Sequence, residues 1–485
     1  MRLFLFMMTT LLLAGGASRL VRWWQDAPPA VPVSRREPAA ARQERRLELT
    51  PGDHCNRLVT TFVRHHPEPP PAESGPSWPG FRGPDRDAIR RDSAPLANAW
   101  PAAGPPRLWA VEVGDGHAGP AVYAGCVYLL DYDEAGRADV LRCLALSDGR
   151  EIWRRSYPVV TKRNHGMSRT VPAVTDDCVV SVGPQCQVMC VDRVTGDLRW
   201  GLDLALDYGT TVPLWYTAQC PLILDGLAIL APCGKDLMMA LDTRSGEVVW
   251  RTPCPPGWAM SHSSITPMTF QGETVLVYAA LGGIAAVRAT GPERGRILWS
   301  TDAWNKRIMA PCPVQLDEQR LMVTAGHGAG SAILHLARTG NEVTVERVTA
   351  LTKQVFASEQ QTPLWLDGVL YTVLPKDAGE HREELTCYDP SGAGRVLWTS
   401  GKDHRFGLGP YLAADGKILI MDDRGLLSLV AADRAGFRLL ARHQVLPEAR
   451  DAWGPPALVG TRLILRDSTR LICLDIGKSI EPGGS

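Results

Sequence analysis

Histidine, arginine and aromatic side chains recur shortly before prolines that repeat along the chain. The six residues in these places are His117, His165, Arg169, Trp215, His262 and His404. If a fold brought them to one mouth, the group would suit an anionic ligand, a sugar-like ligand or a peptide. Any one of them alone is explained by a turn or a satisfied hydrogen bond. Imidazoles near one axis could also bind a metal ion, but no two of these histidines have a ligand-like spacing, and we predict no metal site.

Cysteine is the other residue type that could form a redox or metal site. The sequence has twelve cysteines but no paired C-x-x-C, which argues against a zinc site. Eight of them fall at equivalent places in a repeat, namely Cys143, Cys190, Cys387 and Cys473, Cys126 and Cys178, and Cys220 and Cys312. We therefore expect these eight cysteines to act as small apolar residues in the cores of the blades. A disulfide, for example Cys233 with Cys254, is an alternative in an exported protein.

The repeat itself has a period typical of four short strands with their turns. Its prolines are Pro120, Pro172, Pro221, Pro267, Pro313, Pro363, Pro410 and Pro456, at intervals of 46 to 52 residues. Each proline precedes a β-rich run with a turn in its middle. This period is that of a propeller blade. Connections at the channel mouth are the usual binding surface of a propeller, and the six candidate residues would lie there.

A hairpin closes each unit, and its clearest copy is ALDTRSGEVVW at residues 240–250. Asp242 can accept hydrogen bonds within the turn, Gly246 supplies a positive φ, and Trp250 presents a large surface for packing. Residues 190–200 repeat the frame with Asp192, Gly196 and Trp200. Three partial copies keep only part of the frame: one keeps Trp153, one keeps Trp299, and one keeps Asp389 and Trp398. Weaker copies occupy residues 334–348 and 429–442. The glycine-rich residues 326–330 are predicted to form a turn, because no helix start follows them.

The eighth unit lacks its last strand, since the chain ends soon after Asp475. The missing strand is available at residues 107–113, which contain Trp109 without a preceding hairpin. Pairing the two ends would close a ring and remove free sheet edges. The sequence thus predicts an all-β, eight-bladed β-propeller of four-stranded antiparallel blades over residues 100–477, closed by its N- and C-terminal strands.

The frame A-x-D-x-x-x-G-x-x-x-W resembles the repeat of the pyrroloquinoline quinone (PQQ)-like propellers. That family includes quinoprotein alcohol dehydrogenases and the propeller subunit of the bacterial outer-membrane protein assembly machinery. The resemblance implies eight blades and a repeat tryptophan that docks between neighbouring blades. Residues 78–87, WPGFRGPDRD, also resemble a segment of exported bacterial PQQ-like repeat proteins.

The resemblance to the dehydrogenases also implies a set of chemical groups that the sequence does not supply. Those enzymes carry adjacent cysteines, a calcium site of Glu, Asn and Asp, and an aspartate base, because an anionic quinone needs a cation beside it. No two cysteines here are adjacent, and no such carboxylate set stands out. We therefore expect no catalytic residues and no cofactor, with PQQ and calcium as the alternative.

The N-terminal fifth differs in composition from the rest. Residues 1–17 predict a secretory signal peptide, with an uncleaved membrane anchor as the alternative, since Trp23 and Trp24 would suit a membrane interface. The proline- and arginine-rich residues 18–77 predict a disordered arm. Residues 78–99 lead into the ring, and residues 478–485 form a tail. We expect an exported protein, periplasmic or anchored with its bulk facing the periplasm.

The charge balance limits the function classes. Lys plus Arg and Asp plus Glu each total 52, so no global charge favours nucleic acid. The leading hypothesis is a non-enzymatic monomeric scaffold that contacts envelope proteins. A PQQ-dependent oxidoreductase and a small-ligand or carbohydrate binder at the channel mouth are the alternatives.

Overall fold

Antiparallel β-strands make up most of the regular structure. The computed structural model describes residues 58–66, 75–92, 94–162, 167–270, 272–340 and 342–478. The predicted signal peptide, most of the arm and nearly all of the tail lie outside these ranges. Within them, the helical elements are α1 (Leu204–Tyr208) and a 3-10 turn at Gly379–His381. No helix in these ranges combines the length and apolar character that a membrane span requires.

The strands follow in chain order. Before the first blade come β1 (Thr61–Arg64), β2 (Ile89–Arg90) and β3 (Arg107–Glu112). Blade 1 contains β4 (Ala121–Tyr123), β5 (Cys126–Asp133), β6 (Ala138–Ala145) and β7 (Glu151–Pro158); blade 2 contains β8 (Ala173–Val174), β9 (Cys178–Val182), β10 (Gln187–Asp192) and β11 (Leu198–Asp203). Blade 3 contains β12 (Leu222–Leu224), β13 (Leu227–Leu230), β14 (Asp236–Asp242) and β15 (Val248–Pro253); blade 4 contains β16 (Thr266–Phe270), β17 (Glu273–Ala280), β18 (Gly283–Arg288) and β19 (Ile297–Thr301).

The second half of the ring repeats the plan. Blade 5 contains β20 (Val314–Asp317), β21 (Arg320–Ala325), β22 (Gly330–Thr339) and β23 (Glu342–Leu351); blade 6 contains β24 (Leu364–Leu366), β25 (Val369–Val373), β26 (Leu385–Asp389) and β27 (Arg395–Thr399). Blade 7 contains β28 (Tyr411–Ala414), β29 (Lys417–Met421), β30 (Leu426–Ala431) and β31 (Leu439–Gln444); blade 8 contains β32 (Ala457–Val459), β33 (Arg462–Arg466) and β34 (Arg470–Asp475), completed by β3.

The eight-bladed β-propeller predicted from the repeat is confirmed. Each blade has four antiparallel strands, including blades 5 and 7, whose sequence repeats are weak. The first strands of neighbouring blades touch one another, as β4 does with both β8 and β32. These first strands therefore surround the central channel, and each repeat proline introduces a channel-lining strand.

The predicted closure of the ring is also confirmed. β3 pairs antiparallel with β34, and Trp109 stands opposite Cys473. The indole Nε1 of Trp109 donates a hydrogen bond to the carbonyl oxygen of Leu146 in blade 1, at 2.9 Å. The two ends of the chain thus share one blade, which leaves no open edge between blades 8 and 1.

The prediction of disorder throughout residues 18–77 is wrong for one short segment. Strand β1 pairs antiparallel with β7 as a fifth, outer strand of blade 1. Phe62 packs beside Trp153, with ring centroids 6.4 Å apart, and the Arg155 guanidinium lies 4.7 Å from the centre of the Phe62 ring. Residues 59–63 are Val-Thr-Thr-Phe-Val, β-branched and aromatic residues that favour a strand once an edge is offered to them.

The repeat hairpin behaves as a local turn. The carboxylate of Asp242 accepts hydrogen bonds from the backbone N–H groups of Arg244 and Ser245, both at 2.9 Å. Asp192 and Asp389 cap their turns in the same way. Gly246 has a φ of +75°, which lets the chain return as the next strand.

The repeat tryptophans lie between neighbouring blades. Trp200 of blade 2 is fully buried, and its Nε1 donates to the carbonyl oxygen of Thr243 in blade 3 at 3.1 Å. A Cβ added at Gly246 would lie 2.7 Å from Cγ of Trp200. Trp109, Trp153 and Trp250 contact the turn glycines of the following blades in the same manner, Trp398 donates to Asp433, and Trp299 is buried. The glycine is therefore required both for its φ and for the close approach of an indole.

No two cysteines of the described ranges form a disulfide with each other. All are buried except Cys254, which is half-buried. Cys55 lies outside the described residues. Cys233 and Cys254 are not bridged in this structure. Six of the eight repeat-equivalent cysteines lie in strands and pack within blades as small apolar side chains. The other two, Cys220 and Cys312, precede first strands and line cavities of the channel.

Candidate functional site

A cavity of about 260 Å³ lies where the connections into the first strands converge. We call it the axial cavity. Four of the six candidate residues line it, namely His117, Arg169, Trp215 and His262. These four come from the connections that enter blades 1, 2, 3 and 4, so the propeller brings together side chains that are far apart in the sequence.

The other two candidates do not add to this group. His165 lies outside the described residues. His404 does not line the axial cavity; its ring packs against Phe437 with centroids 5.1 Å apart. Its backbone belongs to a turn in which Ser400 Oγ donates to the His404 carbonyl oxygen at 2.6 Å. His404 precedes Pro410 by the same six positions by which Trp215 precedes Pro221, but in this connection Leu408 lines the cavity instead.

Trp215 is held over the cavity by a connection of 18 residues between β11 and β12 (204–221). Asp203 caps α1 by accepting from the N–H groups of Ala205 and Leu206 at 3.1 and 3.0 Å. Farther along, Trp215 and Tyr216 have φ values of +67° and +69°. Two consecutive bulky residues in this region store backbone strain, a feature that concentrates at functional sites.

The strained turn is tied to the neighbouring connection. The Tyr216 hydroxyl accepts from the backbone N–H of Lys162 at 2.6 Å and donates to its carbonyl oxygen at 2.9 Å. The Trp215 indole then stacks with His262 and His327, with ring centroids 6.0 Å away in both cases. Tyr216 therefore supports the backbone that presents Trp215 to the cavity.

A second aromatic pair forms another part of the wall. His117 packs on Trp453 with ring centroids 5.0 Å apart. The Trp453 Nε1 donates to the carboxylate of Asp423 at 2.8 Å, and the Lys376 ammonium lies 5.7 Å from its ring. These contacts fix the orientation of the indole, so Trp453 offers a preformed flat surface.

The described wall carries one guanidinium, that of Arg169, and one carboxylate, that of Glu359. Burial lowers the pKa of Arg169 to about 10, so it stays protonated at neutral pH. Burial, and then the charge of Arg169, lower the pKa of His262 to about 4, so its imidazole is neutral. Among the described residues, the Nδ1 of His262 has no hydrogen-bond partner, and Glu359 is the one carboxylate in the cavity wall. This arrangement can accept a flat ligand that carries a negative charge.

The floor of the cavity comes from the segment ahead of the ring. We call residues 78–90 the plug, because they cross the central channel. Trp78 exchanges two backbone hydrogen bonds of 2.8 Å with Val122 of blade 1, and β2 pairs in parallel with β28 of blade 7. The Arg82 guanidinium donates to the carbonyl oxygen of Thr362 beside blade 6 at 2.7 Å. Phe81 projects from the plug to line the axial cavity.

Several wall residues were not predicted from the sequence. Trp453 and residues 359–361 stand just before Pro456 and Pro363, the same place in the repeat as the predicted residues, and the repeat could have identified them. His327 lies in the glycine-rich turn, which is a turn as predicted, but its ring reaches the cavity. Nothing in the sequence around Phe81 indicates that it lies under the axis of the ring.

The wall does not fit a calcium-bound quinone. Such a site requires converging carboxylates, and the described residues contain no group of three or more His, Cys, Asp or Glu side chains placed to hold a metal ion. Cys220 lines the cavity without an adjacent cysteine. The residues present therefore favour binding of an organic ligand by stacking and charge.

Comparison with known proteins places the chain in a family. A family profile described as outer membrane protein assembly factor BamB matches residues 136–294 and 235–380, which together span residues 136–380, just over half of the 485 residues. The chain belongs to the BamB-like family of PQQ-like β-propellers. No curated protein sequence matches it significantly.

Solved structures of PQQ-like propellers share the fold at low identity. Quinohemoprotein alcohol dehydrogenase ADHIIG of Pseudomonas putida HK5 is 13% identical, with a TM-score of 0.56 over 83% of this chain and 80% of that chain. BamB of Moraxella catarrhalis is 14% identical, with a TM-score of 0.51 over 76% and 97%. The quinohemoprotein alcohol dehydrogenase of Comamonas testosteroni is 13% identical, with a TM-score of 0.55 over 85% and 82%. At these identities the likeness shows the fold alone.

Proposed function

We propose that this PQQ-like propeller is a non-enzymatic scaffold of the cell envelope, and that the axial cavity is its binding site. The observation that carries the proposal is the composition of the described wall: Arg169, three histidines and two tryptophans, with Glu359 as the one carboxylate. A wall of this kind binds through stacking and charge pairing. It has no pair of carboxylates for general acid–base chemistry.

The ligand class follows from these groups. The faces of Trp215 and Trp453 suit a flat apolar surface, and Arg169 suits a carboxylate or another anionic group. The Nδ1 of His262 is a buried polar atom that a bound ligand would satisfy. A small anionic molecule with an aromatic ring, or a peptide that presents such a group, meets all three requirements.

Exposed apolar side chains around the mouth support a protein partner. Val160, Leu206 and Leu214 are 67%, 72% and 60% exposed. They lie in the two connections that the Tyr216 hydroxyl joins. Apolar side chains concentrated near a binding mouth are typical of interaction surfaces. The proposal includes export, based on residues 1–17, and an envelope protein that contacts this rim of a monomeric ring.

Binding of 8-anilinonaphthalene-1-sulfonate, an anionic aromatic probe, tests the site. We expect saturable fluorescence enhancement with the full-length protein, and affinity about fivefold lower in Trp215→Ala, since stacking on an aromatic side chain contributes on the order of 1 kcal/mol. His404→Ala is the matched control, because His404 lies outside the cavity, and its affinity should stay within twofold. Equal affinity of Trp215→Ala and wild type would refute the assignment of the site.

A PQQ-dependent oxidoreductase is the second candidate, because proteins named quinohemoprotein alcohol dehydrogenases share the fold. Addition of PQQ and calcium ions to the full-length protein tests it, with thermal unfolding and dye-linked alcohol oxidation as readouts. We expect neither stabilisation nor turnover. A saturable rise in melting temperature together with dye reduction would replace the scaffold proposal.

A further inference from the structure

A second cavity, of about 170 Å³, lies in the channel beside the plug. The backbone of the plug bonds to blades 1, 2 and 7, through Val122, Val174 and Ala413. The plug therefore lies against that side of the channel and leaves space on the side of blades 4, 5 and 6. We call this space the plug pocket. Arg82 and Arg86 form its wall on the plug side, and Thr266 is on the facing wall.

The plug contains three buried arginines, and two of them, Arg82 and Arg86, have no acidic partner among the described residues, whereas Arg90 pairs with Asp92. Arg82 is 8% exposed and Arg86 is 9% exposed, and in the described part of the chain neither forms an ion pair. Arg82 is satisfied by backbone carbonyl oxygens, namely those of Arg86, Asp87, Thr362 and Pro363 at 2.7 to 3.3 Å. Burial lowers the pKa of both guanidinium groups, but arginine stays protonated in proteins.

Arg86 is less completely satisfied than Arg82. It donates to the carbonyl oxygen of Pro221 at 3.2 Å, and its guanidinium lies 5.9 Å from the Phe81 ring. Its Nη2 is buried and has no hydrogen-bond partner among the described residues. A buried cation with an unused donor is costly unless an anion or polar group pairs with it.

The acidic residues of the plug pocket are already paired with another arginine. Asp85 and Asp87 bind Arg91 at 2.9 and 2.6 Å. Arg91 is 57% exposed, which places this triad at the rim. The lining contains three arginines and two aspartates, so one positive charge is in excess. Arg82 and Arg86, which lie deeper than Arg91, are the arginines that have no carboxylate partner within the described ranges.

We propose that the plug pocket binds a small oxyanion, as inorganic phosphate or as a carboxylate group, which pairs with Arg86. Arg86 supplies the free donor and the charge, and the Thr266 hydroxyl on the facing wall supplies a further hydrogen bond. The site is separate from the axial cavity, because Phe81 faces that cavity while Arg82 and Arg86 face the plug pocket. The bound anion would hold the plug to blades 4 to 6, the side on which its backbone makes fewest bonds.

Equilibrium dialysis of the full-length protein with radiolabelled inorganic phosphate tests this site. We expect saturable binding of one phosphate per chain. Thermal unfolding should give a melting temperature about 2 °C or more higher at saturating phosphate than in chloride of equal ionic strength. Acetate, in a parallel arm, identifies a carboxylate as the preferred form if it stabilises more than phosphate does. If neither phosphate nor acetate gives saturable stabilisation, the proposal is overturned.

Two variants locate the site. Arg86→Gln should weaken anion binding at least tenfold, whereas Arg244→Gln, at a side chain that is 83% exposed, should bind as wild type does. Thr266→Glu places a carboxylate on the wall of the pocket and should abolish phosphate binding by supplying the anion from the chain, so it serves if Arg86→Gln does not fold. Loss of binding in Arg169→Gln but not in Arg86→Gln would assign the anion to the axial cavity and refute the proposal.

Discussion

The contact between Trp200 and Gly246 allows a quantitative test of how neighbouring blades hold together. In Gly246→Ala, a φ of +75° costs a residue with a Cβ about 1 kcal/mol. The added Cβ would also lie 2.7 Å from Cγ and 3.0 Å from Cβ of Trp200. The indole is fully buried and bonded to Thr243 at 3.1 Å, so it cannot retreat freely, and overpacking of this kind costs about 1–3 kcal/mol. We expect a total loss of about 3 kcal/mol of unfolding free energy.

Gly226→Ala is the matched control in the same blade. Gly226 has a φ of +74°, but an added Cβ there would meet nothing within 4 Å, so the expected loss is about 1 kcal/mol. Urea unfolding followed by circular dichroism measures both variants. In a Trp200→Leu background, the cost of Gly246→Ala should shrink to that of the control. Equal losses for Gly246→Ala and Gly226→Ala in the wild-type background would refute the blade-docking argument.

Three further predictions concern the buried acid, the plug and the arm. Burial raises the pKa of Asp139 to about 7, above the unfolded value of about 3.9. Because the folded state binds the proton more tightly, the stability of the wild type relative to Asp139→Asn should fall by up to about 4 kcal/mol as the pH rises from about 4 to about 7. A pH-independent difference between the two proteins in urea unfolding would contradict this. Arg82→Met leaves four carbonyl oxygens without their donor and should lower the free energy of unfolding by about 3 kcal/mol. A loss below about 1 kcal/mol in the same assay would show that the plug does not secure the ring. Phe62→Ala removes the ring that packs on Trp153 and should expose residues 58–66 to limited proteolysis while the ring stays intact, whereas an unchanged digestion pattern would mean that β1 holds by its backbone alone.

The repeat could be predicted because its signals are local. Asp192 and Asp242 cap their own turns through N–H groups two and three residues away, and each turn glycine is required for its own φ. The strand that closes the ring was predictable as well, because residues 107–113 carry a closing tryptophan without a hairpin and the last blade lacks that strand. Blade 5 formed although its closing hairpin, residues 334–348, carries neither Asp nor Trp, since its neighbours supply the surfaces on which it packs.

The axial cavity was predictable only in part. His117, Arg169, Trp215 and His262 share a place in the repeat, and rotation of that repeat about one axis brings them together. His404 lies as far ahead of its proline as Trp215 does, but local hydrogen bonds hold it elsewhere. His327 stands in a turn whose sequence predicts backbone geometry but not the direction of a side chain.

The sequence by itself determined the number of blades, their order and the closure of the ring. Hydrophobic alternation, turn residues and the repeat period act over short distances along the chain. Only the tertiary structure decided where the segment ahead of the ring goes. Its backbone and the side chains of Arg82 and Arg86 bond to partners on blades 1, 2, 3, 6 and 7, as far along the chain as Ala413, which is 325 residues from Ala88. Such pairings leave no periodic signal, because each is made once and depends on a channel that exists only after the blades have closed around it.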